Sequence, residues 1–149
     1  MAPLQKRALF SLVIGVVFTI ALILIFIVKG DVTTFDDDLG FRFIVYALWV
    51  GVPLAYLIAV NLTLRKPEQI DERDKLIMAR AARVQLLAVI LSMAAWVIVL
   101  TEVFWEGGQV PVVFLTLIMI STLVVSTLAQ SFGILIGYWR NWGMGGDGR

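Results

Sequence analysis

Four long apolar runs, separated by charged segments, follow one another along the chain. They cover about residues 8–28, 43–64, 84–104 and 110–138. A helix needs roughly 20 apolar residues to cross a hydrocarbon core about 30 Å thick, and each run reaches that length. Because backbone polar groups in lipid must be satisfied within the protein, the runs are expected to be helices. The pattern predicts an all-α integral membrane protein with four transmembrane helices, forming a single membrane domain over residues 1–149.

Charged and helix-breaking residues mark the limits of these runs. The first run lies between Arg7 and Lys29. Its apolar core is longer than the roughly 7–15 residues of a signal peptide, so we expect it to be retained as an anchor. Pro53 lies inside the second run and should kink its helix, because proline removes a backbone donor. A turn at 106–109 joins the last two runs, and Pro111 is suited to start the final helix.

The composition is that of a membrane protein, and the distribution of charge predicts how the chain is oriented in the membrane. The chain is 60% hydrophobic and 15% charged, with a mean hydropathy of +0.95, whereas about a quarter of a typical soluble chain is charged. Ten of the twelve Lys and Arg residues lie in the N-terminal segment, in the loop 65–83 or after residue 138. Because cytoplasmic loops carry the excess of Lys and Arg, both termini are expected in the cytoplasm. The predicted location is the cell membrane, the inner membrane in a bacterium, with a flexible glycine-rich tail at 141–149.

The most polar segment, DERDKLIMARAAR at 71–83, carries seven charged residues. Acidic residues at Asp71 and Glu72 favour a helix start, since they oppose the positive end of the helix dipole. Asp71 and Lys75 have the spacing of a helical ion pair, and nothing breaks a helix before Gly107. We therefore expect one long helix with an amphipathic cytoplasmic extension that projects from the membrane, or lies along it, before the third span.

The same segment resembles a pattern, D-E-R-x-x-x-I-x-x-x-A, that precedes a transmembrane helix in a family of small prokaryotic membrane proteins with a domain of unknown function. The matching positions are Asp71, Glu72, Arg73, Ile77 and Ala81. The resemblance covers about the middle third of the chain. It implies a four-helix membrane topology and no particular chemistry.

Three uses of this charged segment are open from the sequence. It can be a solvated helix face, or a docking surface for a protein partner in which Ile70, Leu76 and Ile77 are apolar anchors. It can also contact anionic lipids, for which a juxtamembrane cation contributes about 1 kcal/mol. The residues considered for lipid contact are Arg65, Lys66, Arg80 and Arg83. The candidate docking residues for a partner or lipid are Asp71, Glu72, Arg73, Leu76, Ile77, Arg80 and Arg83.

Small residues recur every four positions on three of the apolar runs. The candidate helix-association residues are Ser11, Gly15, Thr19, Ala47, Gly51, Ala55, Ala59, Thr122, Ser126 and Gln130, and Gly133 and Gly137 continue the stripe of the fourth run. Small residues at this spacing let helix backbones approach closely, which is how helices associate in lipid. The stripes can therefore serve packing within one chain or packing between chains.

The sequence offers little for catalysis or metal binding. It contains no histidine and no cysteine, which excludes the commonest general base and the usual zinc ligand sets. Asp36, Asp37 and Asp38 carry oxygen ligands suited to calcium or magnesium, but consecutive residues do not converge on one ion. Capping of the second helix is the simpler use of this run. We predict no enzymatic site, no cofactor and no metal site.

These observations favour a non-enzymatic structural or regulatory component, either a homo-oligomer or an accessory subunit of a larger membrane complex. The expected partners are membrane lipids and further copies or other membrane subunits, with no nucleic acid. The alternative is a small oligomeric channel or passive facilitator. Its pore would be lined by polar residues of the fourth run: Ser121, Thr122, Ser126, Thr127, Gln130 and Ser131.

Overall fold

The structure is a computed structural model that describes residues 2–29, 35, 37–63 and 71–140. The described residues form four long α-helices. These are α1 (Pro3–Lys29), α2 (Leu39–Thr63), α3 (Glu72–Phe104) and α4 (Val113–Trp139). The all-α fold with one helix for each apolar run is confirmed.

Three of these helices are long and apolar enough to cross a membrane, judged by length and composition: Leu4–Lys29, Glu72–Phe104 and Val113–Trp139. In α2 the described apolar stretch, Leu39–Ala55, is shorter. The helix α3 has 33 residues, so at 1.5 Å per residue it is about 50 Å long and exceeds a hydrocarbon core of about 30 Å.

Local hydrogen bonds account for the helix starts. The Asp38 carboxylate accepts the backbone N–H groups of Gly40 at 2.8 Å and Phe41 at 3.2 Å, and so caps α2. The Asp71 carboxylate accepts the Glu72 N–H at 2.8 Å at the start of α3. In the described part of the chain no ion pair joins Asp71 to Lys75, so this predicted pair is wrong.

The turn between α3 and α4 also follows from the sequence. Gly108 has φ +62°, a backbone conformation that glycine adopts at little cost. Pro111 precedes α4 and is not its first helical residue: its carbonyl accepts the Phe114 N–H at 3.1 Å, three residues on. The entry into α4 is thus a tight turn, and the helix begins at Val113, three residues later than the apolar run suggested.

Helix α4 is the centre of the packing among the described residues. Its close backbone contacts are with α3 and with α1, while α1 and α2 approach each other at few positions. Successive helices are antiparallel, so the start of α1 and the end of α4 lie toward the same end of the bundle. We call this the termini end, and we call the end that contains the α3–α4 turn the hairpin end.

Two apolar clusters hold the helices together. At the termini end, Ala8 of α1, Ile77 and Ala81 of α3, and Ile134 of α4 are buried against one another. At the hairpin end, the buried residues are Phe18, Leu22, Phe35, Phe41, Val45, Val113 and Ile120. Phe41 and Val45 are both 0% exposed, so α2 is anchored through its N-terminal half.

The prediction of one long helix is confirmed, and its first turns pack against the end of α4. The position of these turns relative to a membrane stays a prediction. Ile77 and Ala81 pack in the termini-end cluster. The Tyr138 hydroxyl donates to the Asp74 carboxylate, and the Arg73 guanidinium lies 5.5 Å from the centre of the Tyr138 ring. These contacts continue the α3–α4 packing to the start of α3, because they join its first two turns to the end of α4.

Candidate association and docking surfaces

The small-residue stripe of α1 faces α4. A Cβ placed on Gly15 would lie 2.9 Å from Leu128 Cδ2, closer than side chains tolerate. The Thr19 hydroxyl donates to the Gly15 carbonyl at 2.7 Å. Ser11 lines a cavity of about 110 Å³ between α1, α2 and α4. This predicted stripe is therefore used within the chain.

Two of the predicted stripe residues of α4 bond to α3. The Ser126 hydroxyl accepts a hydrogen bond from the Gln85 amide nitrogen at 2.6 Å. The Thr122 hydroxyl donates to the Met93 sulfur at 3.3 Å. Gln130, the third member, is exposed. The α4 stripe thus serves the α3–α4 interface through Thr122 and Ser126.

Gly133, which continues the predicted α4 stripe, and Trp96 make further contacts in the same interface. A Cβ placed on Gly133 would lie 3.0 Å from Ala81 Cα, so the two backbones approach closely there. The Trp96 indole N–H donates to the Ser121 hydroxyl at 2.7 Å. The bond of Gln85 could have been predicted from the sequence, because an isolated amide in an apolar run needs a hydrogen-bond partner.

The stripe of α2 differs from the other two because it has no partner among the described residues. Ala47, Gly51 and Ala55 are all exposed. Apart from the adjoining residues and backbone of α2 itself, no described atom lies within 4 Å of a Cβ placed on Gly51. The flanking apolar side chains are also exposed, Val50 by 59% and Leu54 by 54%. The side chain of Ala59 lies outside the described residues.

The candidate docking residues divide into exposed and buried groups. Ile77 is 0% exposed in the termini-end cluster, so its predicted role as an apolar docking anchor is wrong. Leu76 is 51% exposed and available for that role. Arg73 is half-buried over Tyr138. The remaining candidates are exposed: Asp71, Glu72, Arg80 and Arg83. Three residues considered alongside them lie outside the described part: Arg65, Lys66 and Ile70.

The hydroxyl groups considered as a pore lining are engaged inside the chain. Thr127 donates to the Leu123 carbonyl at 2.9 Å, and Ser131 donates to the Thr127 carbonyl at 2.8 Å. Ser131 is also 3% exposed. Ser121 donates to the Ile118 carbonyl at 3.1 Å. Such bonds to the preceding turn are the common state of serine and threonine in helices.

The acidic run before α2 acts in helix capping where it is described. Besides capping α2, Asp38 lies 3.9 Å from the Lys29 ammonium, with both side chains well exposed. Asp37 is exposed, and Asp36 lies outside the described residues. Among the residues searched, no group of three or more His, Cys, Asp or Glu side chains could hold a metal ion.

An apolar groove of about 910 Å³ runs between α1 and α3 over α4 toward the hairpin end. Phe26 and Ile27 form part of one wall, Trp96 lies on the other, and Leu117 and Val124 contribute to the floor. The groove exists because α1 and α3 meet at the termini-end cluster but separate beyond it. Its lining offers no titratable group for chemistry.

The chain was compared with family models, with curated proteins and with solved structures, and none of them matches. The resemblance of residues 71–81 to the small prokaryotic membrane proteins therefore stays a prediction. Its two apolar positions, Ile77 and Ala81, are the buried residues of α3.

Proposed function

We propose that this chain is a multi-pass protein of the cell membrane that acts as a non-enzymatic structural or regulatory component by associating through α2. The partner is a second copy of the chain or another membrane subunit. The observation that carries the proposal is the contrast between the stripes: those of α1 and α4 are largely occupied within the chain, whereas that of α2 is exposed.

The membrane location is supported by the exposed apolar surface of the bundle. Large side chains such as Ile27 (71%), Phe43 (71%) and Leu87 (62%) are exposed on three different helices. Soluble monomers rarely carry contiguous apolar patches larger than a few hundred Å². A bilayer solvates this surface, and the lengths of α1, α3 and α4 suit one.

The proposed orientation places the termini end in the cytoplasm. The described cations at that end include Lys6, Arg7 and Arg140, while the hairpin end carries Glu102 and Glu106. An excess of Lys and Arg on the cytoplasmic side is the general rule for multi-pass proteins. In a bacterium the membrane would be the inner membrane.

Association through α2 has a physical basis in its shape. Lipid tails are as apolar as the helix surfaces, so the hydrophobic effect does not drive helices together in a bilayer. Van der Waals contact at close backbone approach stabilises the association instead. The exposed face with Ala47, Gly51 and Ala55 permits such an approach. Because α2 faces the core with Phe41 and Val45 and with the partly buried Trp49 and Val52, its opposite face can pack against another helix without disturbing the core.

Native mass spectrometry after mild solubilisation from the original membrane tests this proposal. Gly51→Leu/Ala55→Leu should remove association, since two bulky side chains would separate the backbones. Ala94→Leu/Ala95→Leu is the matched control, with similar added volume at exposed positions of α3. An assembly that survives the α2 substitutions would overturn the proposal.

The same experiment separates the two kinds of partner. A complex of identical subunits indicates a homo-oligomer, and retention of other polypeptides indicates an accessory subunit. Conductance of the reconstituted wild-type assembly tests the channel alternative. No contact in the described part favours a pore, because all five hydroxyls considered for its lining bond to helix carbonyls or side chains of the same chain.

A further inference from the structure

Four cations from two helices lie at the same level near the termini end. Lys6 and Arg7 belong to α1, Arg80 and Arg83 belong to α3, and all four are exposed. Their common level follows from the packing of Ala8, next to Arg7 in the chain, in one cluster with Ile77 and Ala81. We call these four residues the basic layer.

Acidic residues lie farther out than the basic layer. Asp71 and Glu72 precede Arg80 by eight or more helical residues, which is about 12 Å along the axis. From residue 76 to residue 101 of α3, and throughout α1, the sequence contains no acidic residue. The outer tip of α3, residues 71–75, thus carries three acidic residues alongside Arg73 and Lys75, whereas the inner layer carries cations alone.

The two exposed tryptophans place this layer relative to a bilayer. Trp105 is 79% exposed at the hairpin end and Trp139 is 85% exposed at the termini end. The neighbouring Tyr138 bonds to Asp74, so Trp139 lies near the level of Arg73. The helix between Trp105 and Arg73 is about 48 Å long, close to a bilayer of about 40–45 Å with its headgroups.

The centre of that interval falls near residue 89 of α3. A half-thickness of about 15 Å corresponds to about ten residues, so the hydrocarbon boundary falls at about residue 79. Arg80 and Arg83 therefore lie within about one turn of the boundary, where long cationic side chains extend toward the headgroups. Asp71 and Glu72 lie about 10 Å or more outside it, beyond the headgroups and in water.

We propose that the basic layer binds the phosphate groups of anionic phospholipids in the cytoplasmic leaflet. This inference rests on the membrane location proposed above and is independent of association through α2. Arginine suits the role because its guanidinium can donate two parallel hydrogen bonds to one phosphate. A soluble acidic partner is disfavoured because the layer lies at the depth of the lipid phosphates. The outer tip then remains in water and does not compete at that depth.

Lipid retention by the purified protein tests the proposal. Wild type is reconstituted in nanodiscs of phosphatidylcholine mixed with an equal amount of phosphatidylglycerol, then released and examined by native mass spectrometry for bound lipid. Arg80→Gln/Arg83→Gln removes two cations of the layer. Lys75→Gln/Arg140→Gln is the matched control: it removes the same charge at exposed positions outside the layer.

Wild type should retain phosphatidylglycerol in preference to phosphatidylcholine. Each cation lost from the layer should lower this preference roughly fivefold, and the pair roughly thirtyfold. The control pair should leave most of the preference for phosphatidylglycerol. Salt added during reconstitution should weaken this preference, because the charges of the layer are exposed. Circular dichroism of each variant reports whether the helices are intact.

Two results would overturn the proposal: equal loss in both variant pairs, which would mean that only net charge matters, or an unchanged preference in Arg80→Gln/Arg83→Gln. The subunit count comes from the same spectra and is a separate result. A monomer that retains phosphatidylglycerol supports the basic layer while removing association through α2. An oligomer that retains both lipids equally supports association through α2 while removing the proposed lipid binding by the basic layer.

Discussion

Three glycines in three helices allow the packing described above to be tested with one substitution, glycine to alanine. At Gly133 the added Cβ would meet the Ala81 backbone at 3.0 Å, and at Gly15 it would meet the end of the Leu128 side chain at 2.9 Å. At Gly51, apart from the adjoining residues and backbone of α2 itself, no described atom lies within 4 Å. The backbone contact cannot move without separating α3 from α4, whereas a leucine side chain can rotate away.

The magnitudes follow from two opposing effects. Alanine stabilises a helix interior relative to glycine by about 0.5–1 kcal/mol, and this gain applies to all three sites. Overpacking a well-filled interface costs about 1–3 kcal/mol. Gly51→Ala should therefore raise the free energy of unfolding by up to about 1 kcal/mol, whereas Gly133→Ala should lower it by about 1 kcal/mol. Gly15→Ala should lie between them.

The assay is reversible unfolding in mixed micelles, with the protein dilute enough to be monomeric so that association through α2 does not contribute. The difference between Gly133→Ala and Gly51→Ala is the informative quantity, because the helix-propensity gain cancels. A Gly133→Ala protein as stable as Gly51→Ala would refute the close α3–α4 approach at Ala81.

Other contacts give further predictions under the same unfolding assay. Tyr138→Phe keeps the ring beneath the arginine but removes the hydroxyl that donates to Asp74, and should lower the free energy of unfolding by about 1 kcal/mol; an unchanged value would show that this bond contributes nothing. A double-mutant cycle of Gln85→Leu and Ser126→Ala should give a coupling of about 0.6 kcal/mol, the average for such bonds between membrane helices, and additivity would count against the bond. Asp38→Ala should cost about 1 kcal/mol by removing the cap of α2, with Asp38→Asn as the control that keeps most of it.

The helices could be predicted because their signals are local. Each apolar run is long enough to specify one helix, and Asp71 marked the start of α3 because a short acidic side chain caps the first free N–H group. The start of α4 was placed too early, since apolar character continues through Val112 while the backbone still makes a tight turn there. Hydrophobicity alone does not locate a turn.

The partners of each helix could not be predicted, because similar small-residue stripes occur on three of them. Choosing which stripe is used inside the chain requires the antiparallel register that brings Gln85 to Ser126 and Ala81 to Gly133. The prediction for Ile77 was wrong because its charged neighbours in the sequence suggested an exposed surface. Its spacing of four from Ala81 is the pattern of a buried helix face.

Crosslinking in intact membranes tests association through α2 most directly. The natural chain contains no cysteine, so Ala47→Cys and Ala94→Cys each supply a single thiol at an exposed alanine, on α2 and α3 respectively. Each variant is labelled with a photoreactive benzophenone maleimide and irradiated. We expect a protein adduct from position 47, to a second copy or to another subunit, and only lipid adducts from position 94. Lipid adducts alone at both positions, or equal protein adducts at both, would contradict the proposed role of α2.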